Sequence, residues 1–479
     1  MEIKSILLNK FGFKQFRPGQ EEVIRDVVSN QDTIAILPTG SGKSLCYQLP
    51  AYTKSGTVLI VSPLVALMED QVAIMKKNGE KRVVALNSFL AYKDRQRIMT
   101  ELALYKFIFV SPEMLMQNNV AEQLKKISIA FIVVDEAHCI SQWGFDFRPD
   151  YLRIGEFLQQ LNRPNILALT ATADNQVLQD IVHYLCLENP TIHKQSLDRK
   201  NISYSIIQMK SENEKTDWIL ERTQKTIGPG IIYVASRRRA DDLALHLKEH
   251  GLSISSYHAG MEQEDRAFIQ EQFITGEIDW ICATTAFGMG IHKNDIRQVI
   301  HENMPSTIAG YMQEVGRAGR DGHLSTATLL FTLEDIGKTR FIVQNDLPTE
   351  SEVRRYSNLI KDGTSKNDAA ELSGISDTGT RIIDYYLERM PLDAAILKIR
   401  NQRIEKEKQL QNIIQIINGE NCIRKSLLEF YGETLSVPPT SCCSVCGIGT
   451  DDWLFDNNRG NSTRQLVNWA DRLADLLDR

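Results

Sequence analysis

Between about residues 30 and 175 the chain alternates short apolar runs with amphipathic stretches of helical length. The runs DTIAIL (32–37), TVLIVS (57–62), FIFVS (107–111), AFIVVDE (130–136) and NILALTATA (165–173) are rich in β-branched residues. Near-continuous apolarity of this kind predicts strands buried on both faces, as in a parallel sheet flanked by helices. The pattern restarts at GIIYVAS (230–236), SISSYH (253–258), WICATT (280–285), QVIHEN (298–303) and TATLLF (326–331). A repeated α/β unit predicts two similar lobes, joined by the polar stretch Leu197–Tyr204, with chemistry in the cleft between them.

After about residue 340 the strand pattern stops. Residues 349–420 are charged and helical in pattern, with breaks at Gly363–Thr364 and near Pro391. Residues 366–387 read as helix, glycine turn, helix, with Ala370, Leu372, Ile375, Ile382 and Leu387 as candidate core. Two readings stand for this segment: a DNA-touching helix-turn-helix, or a helical spacer packed on the rest. The scarcity of basic residues on its second helix favours the spacer.

A length of 479 residues predicts several domains. The chain has no apolar run near the ~20 residues of a membrane span and no secretory signal at its start, so a cytoplasmic protein is expected. Its net charge of −6 and pI near 5.9 argue against a protein that coats nucleic acid. They leave room for a local basic groove on an acidic exterior. Cys46, Cys139, Cys186 and Cys282 are scattered and predict reduced core thiols.

Candidate chemistry begins at Leu37-Pro-Thr-Gly-Ser-Gly-Lys-Ser44, a glycine-rich turn between a strand and an amphipathic segment. Thr39, Gly40, Ser41 and Gly42 would present backbone N–H groups to phosphate oxygens, Lys43 would reach the β- and γ-phosphates, and Ser44 would ligate Mg²⁺. Val133-Val-Asp-Glu-Ala-His138 ends a strand on two acids. Asp135 suits the Mg²⁺, and Glu136 can polarise an attacking water. Gln313-Glu-Val-Gly-Arg-Ala-Gly-Arg-Asp-Gly322, in the second half, offers Arg317 and Arg320. If helical, both would face one side and cross the cleft to the γ-phosphate.

These motifs together resemble superfamily 2 helicases, and five further segments narrow the resemblance to the RecQ family. Phe11–Glu21 is similar to its adenine-recognition motif, Cys139–Pro149 to its aromatic-rich loop, and Leu169–Ala173 to the motif coupling hydrolysis to domain movement. Leu197–Tyr204 is similar to its interdomain link, and the fifth segment is Ala283–Ile291. The resemblance implies that Gln20 meets the adenine edge while Phe13 and Arg17 sandwich the ring; Phe13 stands where a tyrosine is common. It also implies sugar-phosphate contacts near Ser62, Ser111 and His258. Trp143, Phe145 and Phe147 are suited to stacking on bases of any identity, with Arg148 on a phosphate; the alternative is that the rings plug the first lobe's core. The run 237–239 of arginines reads better as a solvated helix start than as a DNA contact.

Cys422, Cys442, Cys443 and Cys446 resemble the family's zinc module, although Thr440 stands where its C-x-x-C-x-x-C spacing wants a cysteine. Four thiolates can still complete a tetrahedral site; leftover core thiols are the alternative. The resemblance thus implies an α/β protein of two tandem RecA-like parallel-sheet domains, 1–204 and 205–340, then a helical insertion 341–395, a zinc-binding-like module 396–447 and a tail 448–479. It implies a short bacterial form without the winged-helix and HRDC domains. Expected cofactors are ATP, Mg²⁺ and structural Zn²⁺. Expected partners are single-stranded and forked or junction DNA, with single-strand-binding or other repair proteins, in a nucleoid-associated setting and with no membrane. The activity implied is ATP-dependent 3′→5′ DNA unwinding in recombination and repair. An RNA helicase of the same superfamily and a non-catalytic, nucleotide-switched clamp are the rival readings.

Overall fold

The computed structural model describes residues 3–447 except 64, 88–89, 142–148, 162, 227, 289–292 and 346. Seven strands build the first sheet: β1 (Thr33–Ile36), β2 (Thr57–Val61), β3 (Val83–Leu86), β4 (Phe107–Val110), β5 (Ile129–Val134), β6 (Ile166–Thr170) and β7 (Thr191–Lys194). They lie in the order β3-β4-β2-β5-β6-β1-β7, parallel at each junction. Period-2 alternation feeds two cores: Ile34 and Ile36 join one, Ala35 and Leu37 the other. Full burial of one such aliphatic side chain contributes ~1.5–3 kcal/mol.

The second sheet holds β8 (Ile202–Gln208), β9 (Gly230–Tyr233), β10 (Ile254–Tyr257), β11 (Trp280–Ala283), β12 (Gln298–His301) and β13 (Ser325–Phe331). Its order is β10-β11-β9-β12-β13-β8, again all parallel. The expected boundary at residue 204 falls inside β8, which pairs with β13 from Ile202 onward. The true crossing between sheets lies between Lys194 and Ile202. β8 forms the open margin of this sheet, and Tyr204 there makes an extra bridge to Cys443.

The helical segment has a core of its own, in which Val353, Tyr356, Ala369, Ile382, Ile383 and Tyr386 meet Ala395 and Ile399. Of the candidate core residues, Ile382 is buried, Ala370, Ile375 and Leu387 are half-buried, and Leu372 is 53% exposed. The helix-turn-helix pattern is present as Lys366–Ser373 and Asp377–Leu387, turning at Gly374 with φ +73°. Its second helix docks on the first lobe: Tyr385 packs against that core, and Arg389 meets Glu156 at 2.9 Å. That placement is the spacer arrangement. The following 27-residue helix, Leu392–Asn418, runs about 40 Å at ~1.5 Å per residue. Its start belongs to the helical core, while Leu410 and Ile413 enter the core of the second lobe.

Ile383 is fully buried in the helical segment. Ile383→Ala is expected to destabilise it by ~2–5 kcal/mol, read as a lowered urea midpoint in circular dichroism.

Candidate nucleotide cleft and cysteine cluster

The glycine-rich turn leaves the C-terminal end of β1, an inner strand of the first sheet. Gly40 and Gly42 adopt φ +80° and +79°, a left-handed conformation costly for any residue with a Cβ. Lys43 folds back on its own loop, with Nζ 3.4 Å from the Leu37 carbonyl. Ser44 leads the helix Leu45–Ala51. Gln20 is 3% exposed, and its Nε2 donates to the carbonyls of Ser41 (2.9 Å) and Gly42 (3.1 Å) while its Oε1 accepts from the Arg17 backbone N–H. Arg17 Nη1 donates to the Gly40 carbonyl at 2.5 Å. Gln20 and Arg17 thus hold the phosphate loop itself, beside an exposed Phe13.

Asp135 follows β5, the second strand over from β1. Its carboxyl is pushed up to about 7, first by burial and next by the charge of Glu136, with Lys43 opposing. Glu136 is buried and sits at φ +46°, a strained conformation for a side-chain-bearing residue and one that clusters at functional sites. His138 Nδ1 lies 3.4 Å from Glu136 Oε2 and 3.0 Å from Thr170 Oγ1, linking the acidic strand end to the Leu169–Ala173 segment.

Arg317 and Arg320 do not lie on a helix. The helix Ile308–Val315 ends before them, and a tight turn carries both into the cleft. The cleft, of about 300 Å³, is lined by Lys43, Ser44, Asp135 and Glu136 from one lobe and by Arg317 and Arg320 from the other. Asn294 and Gln71 line it too, and no sequence motif marked either. The lobes touch here, Thr39 Oγ1 donating to the Gly316 carbonyl at 2.9 Å. Four cationic side chains (Arg17, Lys43, Arg317 and Arg320) face two carboxylates, so the lining favours a polyanion. Arg320 is held down at about 9 by burial, then by Arg317 and Arg199. Arg317 is 3% exposed with no hydrogen-bond partner for Nε among the described residues. Both features fit a phosphate group. The raised Asp135 carboxyl beside Glu136 fits a divalent cation, for which Ser44 supplies a hydroxyl.

The expected DNA contacts are less open. Ser62 is 1% exposed, and Ser111 caps the helix Pro112–Leu115 by accepting from the Met114 N–H. His258 Nε2 is held 3.1 Å from both Asp241 carboxylate oxygens. In the arginine run, Arg239 pairs with buried Glu302, while Arg237 and Arg238 are exposed. Trp143, Phe145, Phe147 and Arg148 lie outside the described residues. Of the scattered cysteines, Cys46, Cys139 and Cys282 are buried as expected; Cys186 is exposed, at a turn with φ +53° that keeps it out of the core.

Cys422, Cys442, Cys443 and Cys446 bring four sulfurs within 4.8 Å of one another despite the altered spacing. The Cys422–Cys442 and Cys422–Cys443 separations are 3.5 and 3.8 Å. Zinc–sulfur bonds of ~2.3 Å at tetrahedral angles place sulfurs about 3.8 Å apart. Burial would raise the Cys443 thiol, but backbone N–H groups, Cys446 foremost, pull it down to about 7. The donor set fits zinc. The cluster is sewn to the second lobe, with Tyr204 N–H donating to the Cys442 carbonyl (3.2 Å) and Ser444 N–H to the Tyr204 carbonyl (2.9 Å).

Residues 17–181 match the DEAD/DEAH box helicase family, and residues 211–322 match the helicase conserved C-terminal domain. Fold and site define a two-lobed nucleic-acid helicase of the phosphate-loop class. The probable ATP-dependent DNA helicase RecS of Bacillus subtilis is 40% identical, over 98% of this chain and 97% of its own length. The ATP-dependent DNA helicase RecQ of the same organism is 36% identical over 94% of this chain and 67% of its own; RecQ of Haemophilus influenzae is 41% identical over 69% and 53%. The chain belongs to the RecQ family of ATP-dependent DNA helicases. Among solved structures, the DEAD-box helicase Mss116 bound to ssRNA and UDP-BeF superposes with TM-score 0.59 at 18% identity, covering 86% of this chain and 90% of that one. The Mycobacterium smegmatis helicase Lhr bound to ssDNA and AMP-PNP gives 0.58 at 19%, covering 88% and 58%. These establish the shared fold. No helix among the described residues is long and apolar enough to cross a membrane.

An unfolded aspartate ionises near pH 4, whereas Asp135 keeps its proton to about 7. Between those values the unfolded chain binds fewer protons than the folded one, so this group makes stability fall as pH rises. In nucleotide-free, EDTA-treated protein, Asp135→Asn is expected to flatten the pH 4–7 slope of the denaturation midpoint relative to the parent chain. Elemental analysis is expected to find one zinc per chain, lost in Cys443→Ser.

Proposed function

We propose that this chain couples ATP hydrolysis to 3′→5′ movement along one DNA strand and to the unwinding of forked duplexes, in recombination and repair. One observation carries the reading. The phosphate loop and acidic pair of one lobe share a single cleft with Arg317 and Arg320 of the other. Lys43 would exchange its weak contact with the Leu37 carbonyl for charge-assisted bonds to phosphate oxygens. Ser44 and Asp135 would hold Mg²⁺, which supplies neutralisation of charge on the β- and γ-oxygens. Glu136 would take a proton from the attacking water while Arg317 and Arg320 stabilise charge spreading over the transferring phosphoryl group. Cys422, Cys442, Cys443 and Cys446 would hold zinc as a structural crosslink.

The route from hydrolysis to strand movement runs through His138. Its Nδ1 is shared between Glu136 and Thr170, so a shift of the acid would be felt by the Leu169–Ala173 segment. The segment carrying Trp143, Phe145, Phe147 and Arg148 directly follows this acidic stretch, and beyond it Tyr151 donates its hydroxyl to the Asp135 carbonyl at 3.0 Å. Rings in that segment would report an occupied strand to the hydrolytic acids. Ser62, Ser111 and His258 would place the sugar-phosphate backbone through the segments they anchor. Phe13 and Arg17 would flank the adenine, with Gln20 reading its edge after releasing part of its hold on the loop.

ATPase assays with single-stranded DNA, single-stranded RNA and forked duplexes test the proposal. DNA is expected to stimulate turnover well above RNA, with unwinding of forks bearing a 3′ tail. Glu136→Gln is expected to lower kcat by ~10²–10⁴-fold with nucleotide affinity retained, measured by steady-state hydrolysis and binding of a fluorescent ATP analogue. Equal turnover in Glu136→Gln removes the hydrolytic assignment.

A further inference from the structure

The turn bearing Arg317 and Arg320 is held from behind by the segment joining the lobes. Arg199, in that segment, donates from Nη2 to the carbonyls of Gly319 (2.6 Å) and Ala318 (3.2 Å), and from Nη1 to that of Gly316 (3.4 Å). Its planar fork thus spans the backbone on both sides of Arg317. Asn201 adds a bond from Nδ2 to the Gly319 carbonyl at 2.8 Å. Gly319 is at φ +54°, and a Cβ there would stand 2.4 Å from that amide nitrogen, so the approach is as close as a backbone allows. The turn needs such support. Arg317 and Arg199 both press their charge on Arg320, and like charges at this range push a free turn apart.

Arg199 is itself held by the cysteine module. Arg424, two residues after Cys422, is 1% exposed and lies over the Tyr204 ring at 4.9 Å. It pairs with Asp198 and donates to the backbone carbonyls of Arg199 (3.1 Å) and Ile202. Glu433 grips the same segment from the far end of the module, accepting from Ser196 Oγ at 2.7 Å and from the Leu197 N–H at 3.2 Å. An unbroken path of polar contacts therefore runs from the cysteine cluster, through Arg424 and Arg199, to the arginines of the cleft.

We propose that Arg199 is a positioning residue for ATP hydrolysis: it sets the turn that aims Arg317 and Arg320, and Arg424 of the cysteine module fixes Arg199 in place. Arg199 touches no reacting atom. Removing it leaves the phosphate loop intact while the guanidinium groups lose their aim, so turnover suffers and ground-state nucleotide binding does not. The proposal rests on the hydrolytic reading of the cleft; the parent chain and Arg317→Ala test that reading, and the Arg199 and Arg424 variants test this one.

The experiment measures kcat and KM for ATP at saturating single-stranded DNA, affinity for a fluorescent ATP analogue, and melting temperature. Arg199→Ala is expected to lower kcat about 10-fold or more, with KM and analogue affinity within about 3-fold of the parent. Arg199→Ala combined with Arg317→Ala is expected to lower kcat by clearly less than the product of the two single losses, because part of the Arg199 effect runs through Arg317 and the remainder through Arg320. Arg199→Lys keeps the charge but loses the fork, and gives the same kcat loss in a chain that melts with the parent. Arg424→Lys, with its zinc content intact by elemental analysis, lowers kcat in the same way. Parent-like kcat in Arg199→Lys and Arg199→Ala, or losses that multiply in the double variant, overturns the positioning role. Parent-like kcat in Arg424→Lys overturns the module's part in it.

Discussion

The controlling constraint is electrostatic: cationic side chains from two separate lobes converge on one partly buried cleft that contains too few acids to balance them. Burial and neighbouring guanidinium groups depress Arg320 to about 9, and Asp135 is held protonated to about 7 in the same space. Each departure is relieved by a partner of opposite sign, an anion for the arginines and a cation for the acid. A magnesium–triphosphate complex supplies both together. Lobe apposition is therefore costly without the ligand and favourable with it, which is the asymmetry a motor needs. Under the proposed function, loss of the terminal phosphate would withdraw the charge that draws the lobes together.

Much of this was legible in the residues. The phosphate loop, the acidic strand end and the arginine pair stand out because their chemistry demands rare residue types at fixed spacing, and ten of the thirteen strands announce themselves as buried apolar runs. The three that escaped have physical reasons. β7 is an edge strand reading Thr-Ile-His-Lys, half exposed and too polar for a buried run. β3 is the opposite edge strand, four residues that follow directly on the charged run 80–82. β8 reads Ile-Ser-Tyr-Ser-Ile-Ile-Gln, and its polar opening made it look like linker, which moved the boundary between lobes into a strand. The helix assumed beneath Arg317 and Arg320 failed because Gly316 and Gly319 permit a turn, and long-range bonds from Arg199 and Asn201 then fix it. No local pattern encodes partners more than a hundred residues away.

The segment after residue 340 shows how tertiary context overrides a motif. Its helix-turn-helix spacing is genuine, yet Tyr385 of the second helix and Arg389 just beyond its end are spent on the first lobe. The long helix Leu392–Asn418 then carries the chain back to the second lobe. The segment spans both lobes, so relative movement must flex it or slide its contact with Glu156. The cysteine quartet gathers although its spacing departs from the family pattern, because the loop is pinned to Tyr204 and need not fix its geometry alone.

That pinning gives the cysteine loop a second consequence. A parallel sheet ending in β8 exposes a row of unpaired amides and carbonyls, the template on which foreign strands add. Residues 442–444 occupy part of that row, with Tyr204 bonded in both directions and the Ser444 hydroxyl accepting from the Ile206 N–H. The thiol knot works as a selvedge, finishing the fabric of the second lobe so that it does not fray into its neighbours. Were the quartet to lose the zinc proposed for it, this border would loosen and leave the β8 edge open to a neighbouring chain.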